Sequence, residues 1–244
     1  VVIGLFSKWQ KRVRNRSLAE LAPFAILALI AALIAGFARI AGAIVSGDTY
    51  SFDRRLLLAL RDPADHADPI GPAWIEHVMR DITSLGSFTV VVVTTLVVIG
   101  YLLIDGKRAA ALFVLISILG GIALSELLKH LFARPRPDLV AHLVDVQTTS
   151  FPSGHAMLSA VTFLTLGALL TRVQGSRRLK IYMISTAILL TLLVGGSRVY
   201  LGVHWPTDVL AGWCAGASWA MACWLVARWL QDRGEIEPPD RARG

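Results

Sequence analysis

The sequence predicts an all-α, polytopic membrane protein: a bundle of six transmembrane helices with amphipathic helices in the first outer loop. Three observations predict it. Of 244 residues, 55% are hydrophobic and only 17% charged, too apolar a balance for an ordinary soluble domain. The apolar residues gather in six runs separated by polar segments. A bilayer core about 30 Å thick needs about 20 helical residues to cross, and most of the runs approach that length. Lipid offers the backbone no hydrogen-bond partners, so each run is expected to be an α-helix.

The first run covers residues 22–45. Lys8, Lys11, Arg12, Arg14 and Arg16 precede it, as in a secretory signal, but its apolar core is too long for a cleaved segment. It therefore reads as an uncleaved span behind a basic tail, residues 1–21. The segment 46–84 forms the first outer loop. Within it, residues 52–61 and 74–85 alternate apolar and charged faces at helical spacing, as helices lying on a leaflet do. Runs two and three cover 85–104 and 109–128. Runs four and five, 155–171 and 181–196, are short for full spans, so their polar ends are expected in a water-filled cavity. The sixth run, 208–229, closes a membrane domain of 22–230. The segment 231–244, with Pro238 and Pro239, reads as a disordered tail. Trp9, Trp74, Trp205 and Trp229 fit interfacial belts.

Charge orients the bundle. Basic residues concentrate in the N-terminal tail, at Lys107–Arg108, in 172–180 and in the C-terminal tail. Six spans put these four segments on one side, which the positive-inside rule makes the cytoplasm. The loop 46–84 holds seven acids against four arginines and falls on the other side. The expected location is the cytoplasmic (inner) membrane, with the outer segments facing the periplasm or exterior. Basic flanks of spans account for the net charge of +7, so no nucleic-acid partner is inferred. Cys214 and Cys223 lie about 13 Å apart along one predicted helix and cannot bridge each other.

Polar residues of three separate segments converge at the outer ends of these helices. Lys129 ends the third run, followed by Arg134, Pro135, Arg136 and Pro137. Pro152, Ser153, Gly154 and His155 open the fourth; Ser197 and Arg198 close the fifth; His204 and Asp208 open the sixth. Charges at membrane depth are costly and mark function. Lys129, Arg136 and Arg198, with Arg134 as a candidate fourth, call for an anion, and the arginine fork suits phosphate. The N–H groups of Ser153 and Gly154 at a helix start suit an anion as well. Asp208 follows His204 by one helical turn, the spacing that lets a carboxylate hold one ring nitrogen and free the other. Glu126, one turn before Lys129, reads as a structural ion-pair partner.

These residues resemble the three motifs of the type 2 phosphatidic acid phosphatase superfamily, which shares its site with vanadium haloperoxidases. Lys129 with Arg136–Pro137 resembles K-x6-R-P, Pro152-Ser153-Gly154-His155 resembles P-S-G-H, and Ser197-Arg198 with His204 and Asp208 resembles S-R-x5-H-x3-D. The resemblance implies that His204 is the nucleophile taking the phosphoryl group and that Asp208 orients it. It makes His155 the general acid for the leaving oxygen. Lys129, Arg136, Ser153, Gly154 and Arg198 would form the phosphate cradle. It also implies a metal-independent reaction without cofactor, the cations supplying the charge that Mg²⁺ supplies in many phosphoryl-transfer enzymes. The substrate it implies is a membrane lipid phosphate or diphosphate, undecaprenyl diphosphate being favoured. Phosphatidylglycerol phosphate, phosphatidic acid and lipid A phosphate are the alternatives. A lipid phosphotransferase would carry the same motifs. Six spans argue against a haloperoxidase, and a transporter would not require the His204–Asp208 spacing or His155.

Overall fold

The computed structural model describes residues 2–146 and 148–233. Eight helices follow in order: α1 (Val2–Ser46), α2 (Tyr50–Leu58), α3 (Ala73–Ser84), α4 (Phe88–Ile104), α5 (Arg108–Phe132), α6 (Gly154–Val173), α7 (Arg177–Tyr200) and α8 (Pro206–Asp232). No strand occurs among the described residues, only an isolated bridge between Arg61 and Pro69.

Five helices are individually long and apolar enough to cross a bilayer: the Pro23–Ser46 part of α1, then α5, α6, α7 and α8. The sixth crossing needs α3 and α4 together, a pair bent by 48°. The second predicted run is thus shorter than expected, because Ser87 starts a new helix by accepting the N–H of Val90 at 3.3 Å. Runs four and five are longer than expected. α6 has 20 residues and α7 has 24, because the helices continue through polar ends that the apolar pattern leaves out. The basic segment before the first span is helical in backbone, continuous with α1 through Pro23. The predicted tail 231–244 begins inside α8, which runs to Asp232, and from 234 onward it lies outside the described residues.

The turns at 105–107 and 174–176 are too short for anything but antiparallel neighbours. The N-terminal ends of α4 and α6 meet the C-terminal ends of α5 and α7 at one cavity, which Ser87, Gly154, Lys129 and Arg198 line. α6 sits among α5, α7 and α8. Its contact with α8 is close because Gly212 and Gly216 are spaced four apart on one face. A Cβ on Gly212 would stand 2.8 Å from the Ser153 carbonyl oxygen, and one on Gly216 2.5 Å from that of Met157. Small residues at such spacing let backbones approach where lipid supplies no hydrophobic drive between helices. Two indoles fasten α8 sideways: Trp219 Nε1 donates to the Ser117 carbonyl at 2.8 Å and Trp213 Nε1 to that of Thr191 at 3.1 Å. On the other flank, Val91, Leu102, Val114, Ile118 and Val161 join α4, α5 and α6 in one buried apolar cluster.

The two amphipathic stretches of the outer loop are α2 and α3, but neither simply floats on a leaflet. α2 turns Asp53 and Leu57 fully inward, and α3 packs along α7. Trp205 also departs from the expected interfacial belt. It is 5% exposed, its indole N–H donates to the Pro135 carbonyl at 3.2 Å, and Tyr50 and the Arg134 guanidinium lie against its ring. Trp74 and Trp229 stay exposed, as a belt position requires.

Candidate active site

α5 carries Lys129 in its last turn and ends at Phe132; Ala133 takes a left-handed φ of 43°, which turns the chain across the end of the bundle. Arg134 then points into the protein. It donates to Asp208 Oδ1 at 2.6 Å, Asp53 Oδ2 at 2.8 Å, Thr207 Oγ1 at 2.9 Å and Thr49 Oγ1 at 3.3 Å. Asp53, fully buried, also accepts the Thr207 N–H at 2.9 Å and the Thr207 hydroxyl at 2.6 Å. Arg134 is therefore neither a headgroup contact nor a free cation. It joins α2 to the start of α8 and spends its charge on two buried carboxylates.

Arg136 faces the other way, into a cavity of about 360 Å³. Its Nε donates to the Thr148 carbonyl at 2.8 Å and its Nη2 to Thr148 Oγ1 at 3.2 Å. Its Nη1 donates to the Val203 carbonyl at 2.6 Å and reaches His204 Nε2 at 3.2 Å. Lys129 meets the same Thr148 hydroxyl at 3.4 Å and pairs with Glu126 at 3.5 Å, the ion pair the spacing predicts. Arg198, 4% exposed, donates to Thr83 Oγ1 at 3.1 Å, and its Nε is buried with no protein acceptor. Lys129, Arg136, Gly154, His155, Arg198 and His204 all line the one cavity, so residues from three distant segments meet as the sequence predicts.

Ser153 and Asp208 do not line it. Ser153 is the buried N-cap of α6. Its N–H is taken by the Asp208 carbonyl at 3.0 Å, while its hydroxyl accepts the Ala156 N–H at 3.5 Å. Met157 N–H goes to the Ser153 carbonyl at 2.9 Å. The helix start thus leaves the N–H groups of Gly154 and His155 for an anion, rather than those of Ser153 and Gly154.

His204 lies on the turn between α7 and α8, 2% exposed. A guanidinium only donates, so Nε2 beside Arg136 carries the lone pair and Nδ1 carries the hydrogen. Nδ1 faces Ser150 Oγ at 3.4 Å and Asp208 Oδ2 at 3.6 Å. Burial pushes the imidazole down to about 4, against the opposing pull of Asp208, so the ring is neutral at pH 7. Asp208 is held by the Trp205 N–H at 2.9 Å, by Arg134 and by a short hydrogen bond from Ser150.

The cavity also takes residues that the motifs do not include. Thr83, Ser84 and Ser87 come from the bend between α3 and α4, and Asp145 and Thr148 from the segment before α6. Nothing local in the sequence marks the first three, which the bend carries in from the end of α3 and the start of α4. Ser150 stands two residues before Pro152 and was within reach of a reading that extended the motif. No group of three or more His, Cys, Asp or Glu is gathered for a metal among the described residues.

Fold and site together define a polytopic helical membrane protein with two histidines and three cations around one pocket. The PAP2 superfamily pattern matches residues 110–232. The chain is 34% identical over 146 residues to phosphatidylglycerophosphatase B of Bacillus subtilis, covering 59% of this chain and 70% of that one. It is 37% identical over 123 residues to an undecaprenyl-diphosphatase of Sulfolobus acidocaldarius, covering 48% of this chain and 55% of that one. The crystal structure of a transmembrane PAP2-type phosphatidylglycerolphosphate phosphatase from Bacillus subtilis superposes with a TM-score of 0.69 at 28% identity, covering 84% of this chain and 96% of that one. LpxE of Aquifex aeolicus shares the fold, with a TM-score of 0.50 at 23% identity over 72% of this chain and 92% of that one. The chain belongs to the PAP2 superfamily. It is a multi-pass membrane lipid phosphatase, a hydrolase of phosphoric monoester or diphosphate lipids.

Proposed function

We propose that this phosphatase works through a phosphohistidine on His204. The observation that carries the reading is the orientation of that ring. Its Nε2 lone pair opens toward the cavity among Arg136, Arg198 and Lys129, while its Nδ1–H points back to buried acceptors. Arg136 Nη1 lies against that lone pair, 3.2 Å from Nε2. A bound phosphate draws that N–H to its own oxygens and releases the nitrogen to attack. The Nε2–P bond forms as the bond from phosphorus to the leaving oxygen breaks, and His155 gives the leaving oxygen a proton. Water then attacks phosphorus with His155 taking its proton. The N–P bond breaks, inorganic phosphate leaves and His204 is restored. Lys129, Arg136, Arg198 and the free N–H groups of α6 hold the equatorial oxygens. Asp208 orients His204, and Ser153 shapes the cradle by fixing the start of α6 to α8.

The substrate we favour is undecaprenyl diphosphate, on the three cavity cations against the charge of a diphosphate and on the similarity to the Sulfolobus enzyme. Phosphatidylglycerol phosphate is the second reading, favoured by likeness to the Bacillus enzyme over most of its length. Sidedness follows from the charge pattern: the cavity faces the periplasm or exterior and samples the outer leaflet. Phosphate release by the purified protein in detergent, with EDTA present, tests both the activity and the substrate. Turnover of undecaprenyl diphosphate at least tenfold above the other lipids supports the first reading, preference for phosphatidylglycerol phosphate the second, and no release from any lipid phosphate rejects both.

A further inference from the structure

Asp208 stands four residues from His204, and the closest approach, Nδ1 to Oδ2, is 3.6 Å, longer than a normal hydrogen bond. Ser150 Oγ lies between them, 3.4 Å from His204 Nδ1 and in a short hydrogen bond to Asp208 Oδ2. The direction of every proton here is forced. Arg136 fixes the lone pair on Nε2, so Nδ1 can only donate. Asp208 Oδ2 accepts from the Trp205 N–H and Oδ1 from Arg134, as an ionised carboxylate does. The Ser150 hydroxyl must therefore donate to Asp208 and offer its own lone pair to the Nδ1–H. Ser150, His204 and Asp208 are all buried, so water does not compete for these bonds.

We infer that Ser150 is a positioning residue of the reaction, the link through which Asp208 holds the His204 ring. The inference rests on the proposed role of His204 as nucleophile. When Nε2 bonds to phosphorus, the ring becomes cationic and keeps its Nδ1–H. The serine hydroxyl then passes the influence of the carboxylate to that cation without itself gaining or losing a proton. It also stops the ring from turning over and presenting the wrong nitrogen.

The groups facing His204 besides Ser150 are Asp208 from α8, Arg136 from the segment after α5, Arg198 from α7 and His155 from α6. Lys129 of α5 and Asp145 of the segment before α6 line the same cavity, and Asp208 is the anion beside Nδ1. Cutting the link should lower both the reactivity of the ring and the pH at which it protonates.

The test is phosphoenzyme formation by rapid quench on full-length wild type, Ser150→Ala, Asp208→Asn and the double variant, each across pH. Ser150→Ala should form phosphoenzyme about 10- to 100-fold more slowly, with the acid limb moved to lower pH. The double variant should be no slower than the slower single variant, because both act through one chain. Wild-type rate and an unmoved limb in Ser150→Ala overturn the inference, as do losses that multiply in the double variant. If wild type itself forms no phosphohistidine at residue 204, the nucleophile reading falls and the inference falls with it, a result distinct from either. Should Ser150→Ala not fold, Ser150→Cys fills the same space with a poor donor and is read by the same outcomes.

Discussion

Replacing Arg134 by methionine removes the one cation that two buried carboxylates share. In the folded protein its guanidinium meets Asp208 at 2.6 Å and Asp53 at 2.8 Å, with Thr207 and Thr49 completing its contacts. Its side chain is 11% exposed and Asp53 is fully buried, so solvent cannot take over its role. Removing one partner of a buried ion pair costs about 3–5 kcal/mol, because the other charge is left uncompensated. At about 2–4 °C per kcal/mol for a chain of this size, the midpoint of unfolding should fall by about 6–20 °C. Asp53→Asn should cost less, since the asparagine oxygen still accepts from Thr207, and the two losses should be less than additive. The assay is thermal unfolding in detergent followed by tryptophan fluorescence, with the double variant closing the cycle. A midpoint for Arg134→Met within about 2 °C of wild type would refute the view that this arginine pins α2 to the start of α8.

Three further outcomes follow from the geometry. The acid limb of kcat/KM, after the ionisation of the substrate phosphate is subtracted, should lie near pH 4, because burial lowers His204 to about 4 and only the neutral ring attacks; a limb near the ordinary histidine value of about 6.5 contradicts it. His155→Ala should reduce kcat more for phosphatidic acid, which expels a poor alkoxide, than for a polyprenyl diphosphate, which expels a stabilised phosphate; equal losses in single turnovers reject the general-acid role. With Cys214 and Cys223 replaced by alanine, an impermeant thiol reagent should label Asp65→Cys but not Gly175→Cys in intact cells; the reverse pattern inverts the topology.

Periodicity and length exposed the fold because lipid permits so few backbone solutions. The six crossings were visible as apolar runs, but their ends were not. α6 and α7 continue through Arg172, Arg177 and Arg198, residues that an apolar count treats as loop. The bend before α4 was hidden because the second run has no charge or proline to mark it, while the break comes from the Ser87 cap. The cavity lining was legible for a different reason: Lys129, Arg136, His155, Arg198 and His204 are charges or histidines at the ends of apolar runs. What stayed out of sight are contacts made by ordinary residues across long separations. Thr148 joins Lys129 to Arg136 with a hydroxyl that has no pattern of its own. Asp53 looked like one charge on an amphipathic helix, and only the packing of α2 on α8 turns it inward. Trp205 fitted an aromatic belt by position, yet the turn before α8 folds it under Tyr50 and Arg134. The spacing of His204 and Asp208 brought the two together as expected but concealed the serine between them.

The most direct measurement of the central claim is the fate of the phosphoryl group in one turnover. Purified protein is mixed in excess with lipid labelled with ³²P in the phosphate that is released. The reaction is quenched in alkaline denaturant, which preserves phosphohistidine, and digested for mass spectrometry. The account predicts transient label on the peptide containing His204, at residue 204, appearing before free phosphate and absent from His204→Ala, which should also lose at least about a thousandfold in turnover. Free phosphate rising with no protein-bound label, label on another residue, or turnover by His204→Ala within about tenfold of wild type would contradict it.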